Sequence, residues 1–267
     1  MILQIHNSDD AWLRAAVDLI VSTQGERQSL HLCLSGGTTP QPVYESLARS
    51  EAFRALVASK AVHLWVGDER EAPAHSGLRN SEMIEEIFAA AGFGFKNFAF
   101  REAESPASHV QTPTSHARSA QPAYRTQAAD TASPGLILHA WPLGPREGSA
   151  SAYEEELATC AGETGGAERP LFDLTILGMG QDGHTAGLFT AEDLRLGTDR
   201  AVMLTEAPQE PKKRMTLAPH ILLSSGKILV LMRGLPKVRL LMANLFGERT
   251  DPIGHFLSDQ CEVVAEL

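Results

Sequence analysis

An α/β fold built on a parallel sheet is the class this sequence predicts, and three observations carry it. Short apolar runs alternate with segments of helical periodicity along most of the chain, the pattern of parallel strands joined by crossover helices. Several runs end in clusters of Gly, Ser, Thr and charged residues, at 35–40, 67–70 and 178–187, and ligands of open parallel sheets sit at the carboxyl ends of strands. With 267 residues, 43% of them apolar, the chain can bury a substantial core, which excludes intrinsic disorder of the whole.

Ile2 to Ile5 reads as the first strand. Trp12, Ala15, Ala16, Leu19 and Ile20 then fall at helical spacing, with Ser8 or Asp9 placed to cap that helix. Leu30 to Leu34 reads as a strand feeding Ser35-Gly36-Gly37-Thr38-Thr39-Pro40, a turn that opens a helix. Val62 to Val66 is a strand, Asn80 to Ala91 a helix, Leu171 to Leu177 a strand, and Ile228 to Met232 a strand before a helix from Pro236. The loops beginning at Ser35, Gly67 and Gly178 should therefore converge.

The pattern breaks from Ser105 to Pro134, where Ser, Ala, Thr, Pro, Gln and His dominate and Val110 is the only aliphatic residue larger than Ala. Such a stretch buries too little surface to order itself. The expectation is one domain over residues 1–267 with a low-complexity, mobile insertion at about 101–135. The strand beside it is either Asn97 to Phe100 or Leu136 to Trp141.

A formal net charge of −10 argues against a protein whose task is gripping nucleic acid. No apolar run approaches the roughly 20 residues of a membrane helix, and Asp9 and Asp10 interrupt any signal-peptide core, so a soluble cytoplasmic chain is expected. Cys33, Cys160 and Cys261 are odd in number and lack paired spacing, which suggests buried thiols rather than a disulfide framework or a zinc knuckle.

The turn at 35–40 offers backbone N–H groups, hydroxyls and a following helix N-terminus, a combination suited to phosphate. An ordinary strand-to-helix turn would use the same glycines. Asp68, Glu69 and Arg70 emerge where a strand ends; a solvated charge run is the default, but at least one of them should face the crevice and need a partner. Asn80 is a further polar candidate or a helix cap. Lys212, Lys213, Arg214 and Lys237 come late in the chain; Arg214 suits forked contacts, and Lys237 stands where a strand turns into a helix.

The segment Gly178-Met179-Gly180-Gln181-Asp182-Gly183-His184-Thr185-Ala186-Gly187 satisfies GxGxxG, and Glu206 stands where a dinucleotide site would want its acid. Against that reading, Asp182 would set a carboxylate beside the pyrophosphate, and only a short helix could follow. The turn makes better sense as a device presenting Asp182 and His184, a carboxylate-oriented imidazole able to take a proton from water.

Taken in order, Ser-Gly-Gly-Thr-Thr-Pro at 35–40, Asp-Glu-Arg at 68–70, Asn80, the segment 178–189, Arg214 with Thr216 and Gly234 with Lys237 resemble the 6-phosphogluconolactonases of the glucosamine-6-phosphate isomerase/6-phosphogluconolactonase family. The resemblance implies a Rossmann-like three-layer α/β/α sandwich hydrolysing 6-phosphogluconolactone to 6-phosphogluconate in the pentose phosphate pathway. It implies no metal or organic cofactor; a monomer or homodimer is expected. By the same resemblance His184 activates water and Asp182 and Asp68 orient the reacting end. Ser35, Gly36, Gly37, Thr38 and Asn80 are binding residues, with Arg70, Arg214 and Lys237 the cations for phosphate or oxyanion. The related deaminases usually carry a Tyr after the Asp-Glu pair and a Glu just beyond the His; this chain has Arg70 and Leu188-Phe189-Thr190, with no acid before Glu192. A sugar-phosphate sensor without catalysis is a third reading. Gly187 stands where the family usually has Ser.

Overall fold

The computed structural model describes residues 1–23, 29–96, 134–163, 170–196 and 199–267. The expected insertion and the candidate strand Asn97 to Phe100 lie outside these residues, apart from the segment's last positions. There Gly135 already opens a strand, Gly135–His139, so of the two candidate strands the one at Leu136 to Trp141 is in the sheet, starting one residue earlier and ending two earlier.

Seven strands form one parallel sheet: β1 (Ile2–His6), β2 (Ser29–Leu34), β3 (Ala61–Val66), β5 (Gly135–His139), β6 (Phe172–Gly178), β9 (Ser225–Arg233) and β10 (Cys261–Glu266). Their spatial order is β1-β10-β9-β6-β2-β3-β5. The six residues of β3, Ala-Val-His-Leu-Trp-Val, are all buried, as a parallel strand covered on both faces requires. From β2 the chain adds β3 and β5 on one side and β6, β9 and β10 on the other. That reversal makes the carboxyl ends of β2 and β6 a topological switch point, where the connecting loops diverge and leave a crevice.

Helices flank the sheet as the three-layer class demands. The first, α1 (Asp9–Ser22), is capped by Ser8, whose Oγ accepts from the Ala11 N–H, and carries Asp9 and Asp10 in its first turn. Its Trp12 donates Nε1–H to the Val264 carbonyl at 3.0 Å. It packs with α2 (Gln41–Arg49) and α3 (Glu51–Ser59), and α2 packs on α4 (Asn80–Ala90). Separately, α5 (Arg146–Glu163) lays Tyr153 against Trp141 and Trp65. The short α6 (Pro219–Leu223) precedes β9, and α7 (Leu235–Leu245) follows it. Sequence reasoning picked out neither α3 nor α5, although Phe53, Leu56 and Val57 in α3 and Ala150, Tyr153, Leu157 and Cys160 in α5 fall at helical spacing and are buried. No described helix is long and apolar enough to cross a membrane.

A second, small sheet that sequence reasoning did not foresee adjoins the parallel one. β4 (Asp68–Arg70), β8 (Lys213–Leu217) and β7 (Val202–Glu206) pair antiparallel in the order β4-β8-β7. Gly67 is the corner between the two sheets: its N–H donates to the Leu34 carbonyl at 2.8 Å and its carbonyl accepts from Leu217 at 2.9 Å. A Cβ there would lie 3.2 Å from the Cys33 sulfur. The charged run after β3 is thus a short strand, and its side chains alternate faces.

Candidate active site

That alternation sorts the Asp-Glu-Arg run. Asp68 and Arg70 point to one face of β4 and Glu69 to the other. On the cleft side Asp68 stands opposite Thr216 and Arg70 opposite Arg214. Two cations directly opposed across antiparallel strands repel, an arrangement suited to holding an anion.

Glu69 serves α4 instead. Its side chain is 0% exposed. Its carboxylate accepts from the backbone N–H groups of Arg70, Asn80 and Ser81 at 2.8, 2.8 and 2.9 Å, with the Arg79 guanidinium 3.7 Å away. The Arg79 side chain makes no capping bond to the helix, so Glu69 supplies the acceptor that the helix N-terminus needs. Asn80 is accordingly not the cap. It is the first helical residue, its Nδ2 donates to the Asp68 carbonyl at 2.8 Å, and a Cβ on Gly36 would overlap its carboxamide. Gly36 is small because Asn80 occupies that space.

Eleven residues singled out in the sequence, Ser35, Gly36, Gly37, Thr38, Asp68, Arg70, Asn80, Asp182, His184, Arg214 and Lys237, line one cleft of about 500 Å³. The three loops do converge. Ser35 Oγ accepts from the Gly178 N–H at 3.3 Å, joining the turns after β2 and β6. Gly37 takes φ 94°, a conformation that favours glycine, and α2 begins directly after Pro40.

The turn after β6 contains no helix, only successive turns to Thr190. Gly180 N–H donates to the His184 carbonyl at 2.8 Å, and the Thr185 hydroxyl donates to the Gly178 carbonyl at 2.8 Å. Asp182 Oδ1 meets His184 Nδ1 at 2.5 Å and accepts the His184 N–H at 3.2 Å. A Cβ at Gly180 would overlap both side chains. The dinucleotide reading fails here: no helix N-terminus follows the glycines, and Glu206 ends a strand of the other sheet, 3.9 Å from Arg146. Gly187 is locked to the small sheet, its N–H donating to Thr216 Oγ1 at 3.2 Å and its carbonyl accepting from Thr205 Oγ1 at 2.6 Å.

The electrostatics divide the cleft into two poles. Burial, and then Glu69, push the Asp68 carboxyl up to about 6, against the pull of Arg70, Arg214 and His184. Burial also raises Asp182, but the His184 charge and hydrogen bonds prevail and hold its carboxyl below the ordinary range. Burial and then Arg70 depress Arg214. Phe189 bridges this pole, its ring 5.0 Å from His184 and 5.9 Å from the Arg214 guanidinium carbon. Lys237 forms the other pole with the turn at 35–40. Half-buried and depressed by desolvation, it donates to Thr39 Oγ1 at 3.3 Å, and among the described residues no carboxylate pairs with it.

Sequence reasoning missed the β7–β8 connection: Ala207, Pro208, Gln209 and Glu210 also line the cleft, although they read as an ordinary polar turn. It also missed Phe189, whose aromatic character within the motif was the available signal.

The family model for glucosamine-6-phosphate isomerases/6-phosphogluconolactonase matches residues 8–264. The chain is 29% identical over 215 residues to a 6-phosphogluconolactonase of Thermotoga maritima, covering 80% of this chain and 73% of that one. It is 28% identical over 250 residues to a 6-phosphogluconolactonase of Synechocystis sp., covering 92% and 84%. In fold it resembles the crystal structure of the Thermotoga maritima 6-phosphogluconolactonase, with a TM-score of 0.69 at 23% identity over 99% of this chain and 98% of that one. It also resembles a monomeric glucosamine-6-phosphate deaminase, with a TM-score of 0.64 at 15% identity over 100% and 97%. The chain belongs to the glucosamine-6-phosphate isomerase/6-phosphogluconolactonase family.

Proposed function

We propose that this chain is a 6-phosphogluconolactonase, an enzyme of sugar-phosphate metabolism that hydrolyses 6-phosphogluconolactone to 6-phosphogluconate in the pentose phosphate pathway. The observation that carries the reading is the Asp182–His184 pair set in the same cleft as Lys237, a lysine at a helix N-terminus with no carboxylate partner among the described residues. With Nδ1–H given to Asp182, the neutral His184 ring keeps its lone pair on Nε2. Water attacks the lactone carbonyl carbon while Nε2 takes its proton. The tetrahedral oxyanion develops beside Arg70 and Arg214, where such stabilisation is worth about 2.7 to 4 kcal/mol. Collapse breaks the bond to the ring oxygen, which takes the proton back from His184, and the new acid ionises in water. Asp182 holds the tautomer and steadies the imidazolium. Asp68, ionised above about pH 6, orients the sugar and shares the two arginines.

The phosphate belongs at the opposite pole. The N–H groups of the 36–38 turn, the start of α2 and Lys237 supply donors and positive charge. Gripping a group that does not react converts binding energy into positioning.

The family includes isomerases, and one feature favours the lactonase. Just beyond His184 stand Leu188, fully buried, and Phe189, whose ring lies tilted against the imidazole with centroids 5.0 Å apart. Glu192 is exposed and outside the cleft, so the first acid after His184 does not join Asp182 beside the base, where the related deaminases would use it for ring opening. The test compares acid release from freshly made 6-phosphogluconolactone, corrected for spontaneous hydrolysis, with ammonia release from glucosamine 6-phosphate. Acid release alone is expected, and ammonia release without it would reverse the assignment.

A further inference from the structure

Away from the cleft, a cluster of nitrogen and sulfur donors lies between the parallel sheet and α5. His63 on β3 and His139 on β5 are two residues apart in a register that pairs His63 with Ile137 and Trp65 with His139, so both side chains leave the same face of the sheet. Both are buried, as is Cys160 on α5. One ligand atom from each of His63, His139 and Cys160 lies within 4.8 Å of the other two. None of the three lines the cleft.

The surroundings of His139 are those of a metal ligand. Its Nδ1 lies 2.7 Å from Glu156 Oε1, and Glu156 sits one helical turn before Cys160. A carboxylate that accepts Nδ1–H leaves Nε2 as a lone pair and raises its basicity, the outer-shell arrangement that orients metal-bound histidines. That Nε2 accepts the His63 Nδ1–H at 2.8 Å, a hydrogen bond that a bound ion would replace, with the proton released to solvent. The charges also balance: a thiolate at Cys160 and the Glu156 carboxylate together neutralise a divalent ion, as a buried site requires.

We propose that His63, His139 and Cys160 bind a divalent transition-metal ion of the zinc class, with Glu156 as the outer-shell partner of His139. Two imidazoles and a thiolate suit Zn²⁺ and Co²⁺ rather than the oxygen-seeking Mg²⁺ or Ca²⁺. Tetrahedral coordination needs the two nitrogens about 3.4 Å apart and each about 3.6 Å from sulfur, so binding opens the His63–His139 contact by roughly half an ångström. The ion would tie β3 and β5 to α5 and strengthen that edge of the sheet. Three such ligands give no spacing signature, because they come from two strands and a helix far apart in the chain.

The test is titration of chelator-treated full-length protein with Co²⁺ alone, followed by absorption. One equivalent per chain is expected, with a thiolate-to-cobalt charge-transfer band that Zn²⁺ displaces. The band should vanish in Cys160→Ser and persist in Cys261→Ser. Glu156→Gln should weaken the affinity about 10- to 100-fold. Absence of the band, or its persistence in Cys160→Ser, overturns the site. Should Cys160→Ser fail to fold, the partly exposed Glu156 decides the matter, since unchanged affinity in Glu156→Gln would contradict the proposal.

Discussion

Two glycine-rich turns follow neighbouring strands of the same sheet, and they do opposite things. The turn after β2 runs through Gly36 and Gly37 straight into α2, so its N–H groups and the helix terminus make a place for negative charge. The turn after β6 enters no helix; its glycines let Asp182 and His184 fold back over Gly180 and hold an imidazole against a carboxylate. Glycine alone therefore says that backbone comes close to something. The element into which the turn leads decides what that is: free N–H groups at a helix start, or a side-chain pair folded back on the turn.

Breaking the second turn should have the largest effect. His184→Ala is expected to lower kcat at least about 10²-fold with the fold intact, measured as acid release above the spontaneous rate. Asp182→Asn should cost less, about 10- to 10²-fold, because Asp182 is 54% exposed and water replaces part of what the carboxylate does. On the first turn's side, Lys237→Ala should raise KM about 10- to 100-fold, the worth of a charge-assisted hydrogen bond, with a smaller change in kcat.

Two stability measurements sharpen the same contrast. Asp68 has its carboxyl raised from 3.8 to about 6. A group raised on folding stabilises the fold at low pH and surrenders that contribution as pH climbs through its folded value. Asp68→Asn should therefore raise Tm more at pH 8 than at pH 5, although activity falls in the variant. Gly187→Ser, which restores the residue usual in the family, should lower Tm by several degrees, because a Cβ there meets the Thr216 Cβ at 2.7 Å.

Much of the site was legible because its residues cluster at strand ends. Apolar runs marked β2, β3, β6 and β9, and the polar segments after the first three converge as a parallel sheet requires. The features hidden from sequence reasoning arise from pairing across long separations. From Asp68 to Arg70 the sequence allowed a charge run with at least one side chain facing the crevice; only the partnership with Lys213–Leu217 makes it a strand and sorts the three, turning Glu69 towards α4 and Arg70 towards Arg214. Asn80 read as a site candidate or a cap, and the cap is a carboxylate eleven positions earlier. His63 and His139 sit inside apolar strands, where nothing local distinguishes a buried imidazole that packs from one that binds.

The most direct test of two poles sharing one cleft is the ratio of kcat/KM for 6-phosphogluconolactone to that for the unphosphorylated lactone. Wild type and two variants are compared. Lys237→Ala should shrink that ratio about 10- to 100-fold, whereas His184→Ala should slow both substrates alike and leave the ratio in place. A ratio untouched in Lys237→Ala, or near-full turnover in His184→Ala, would contradict the account.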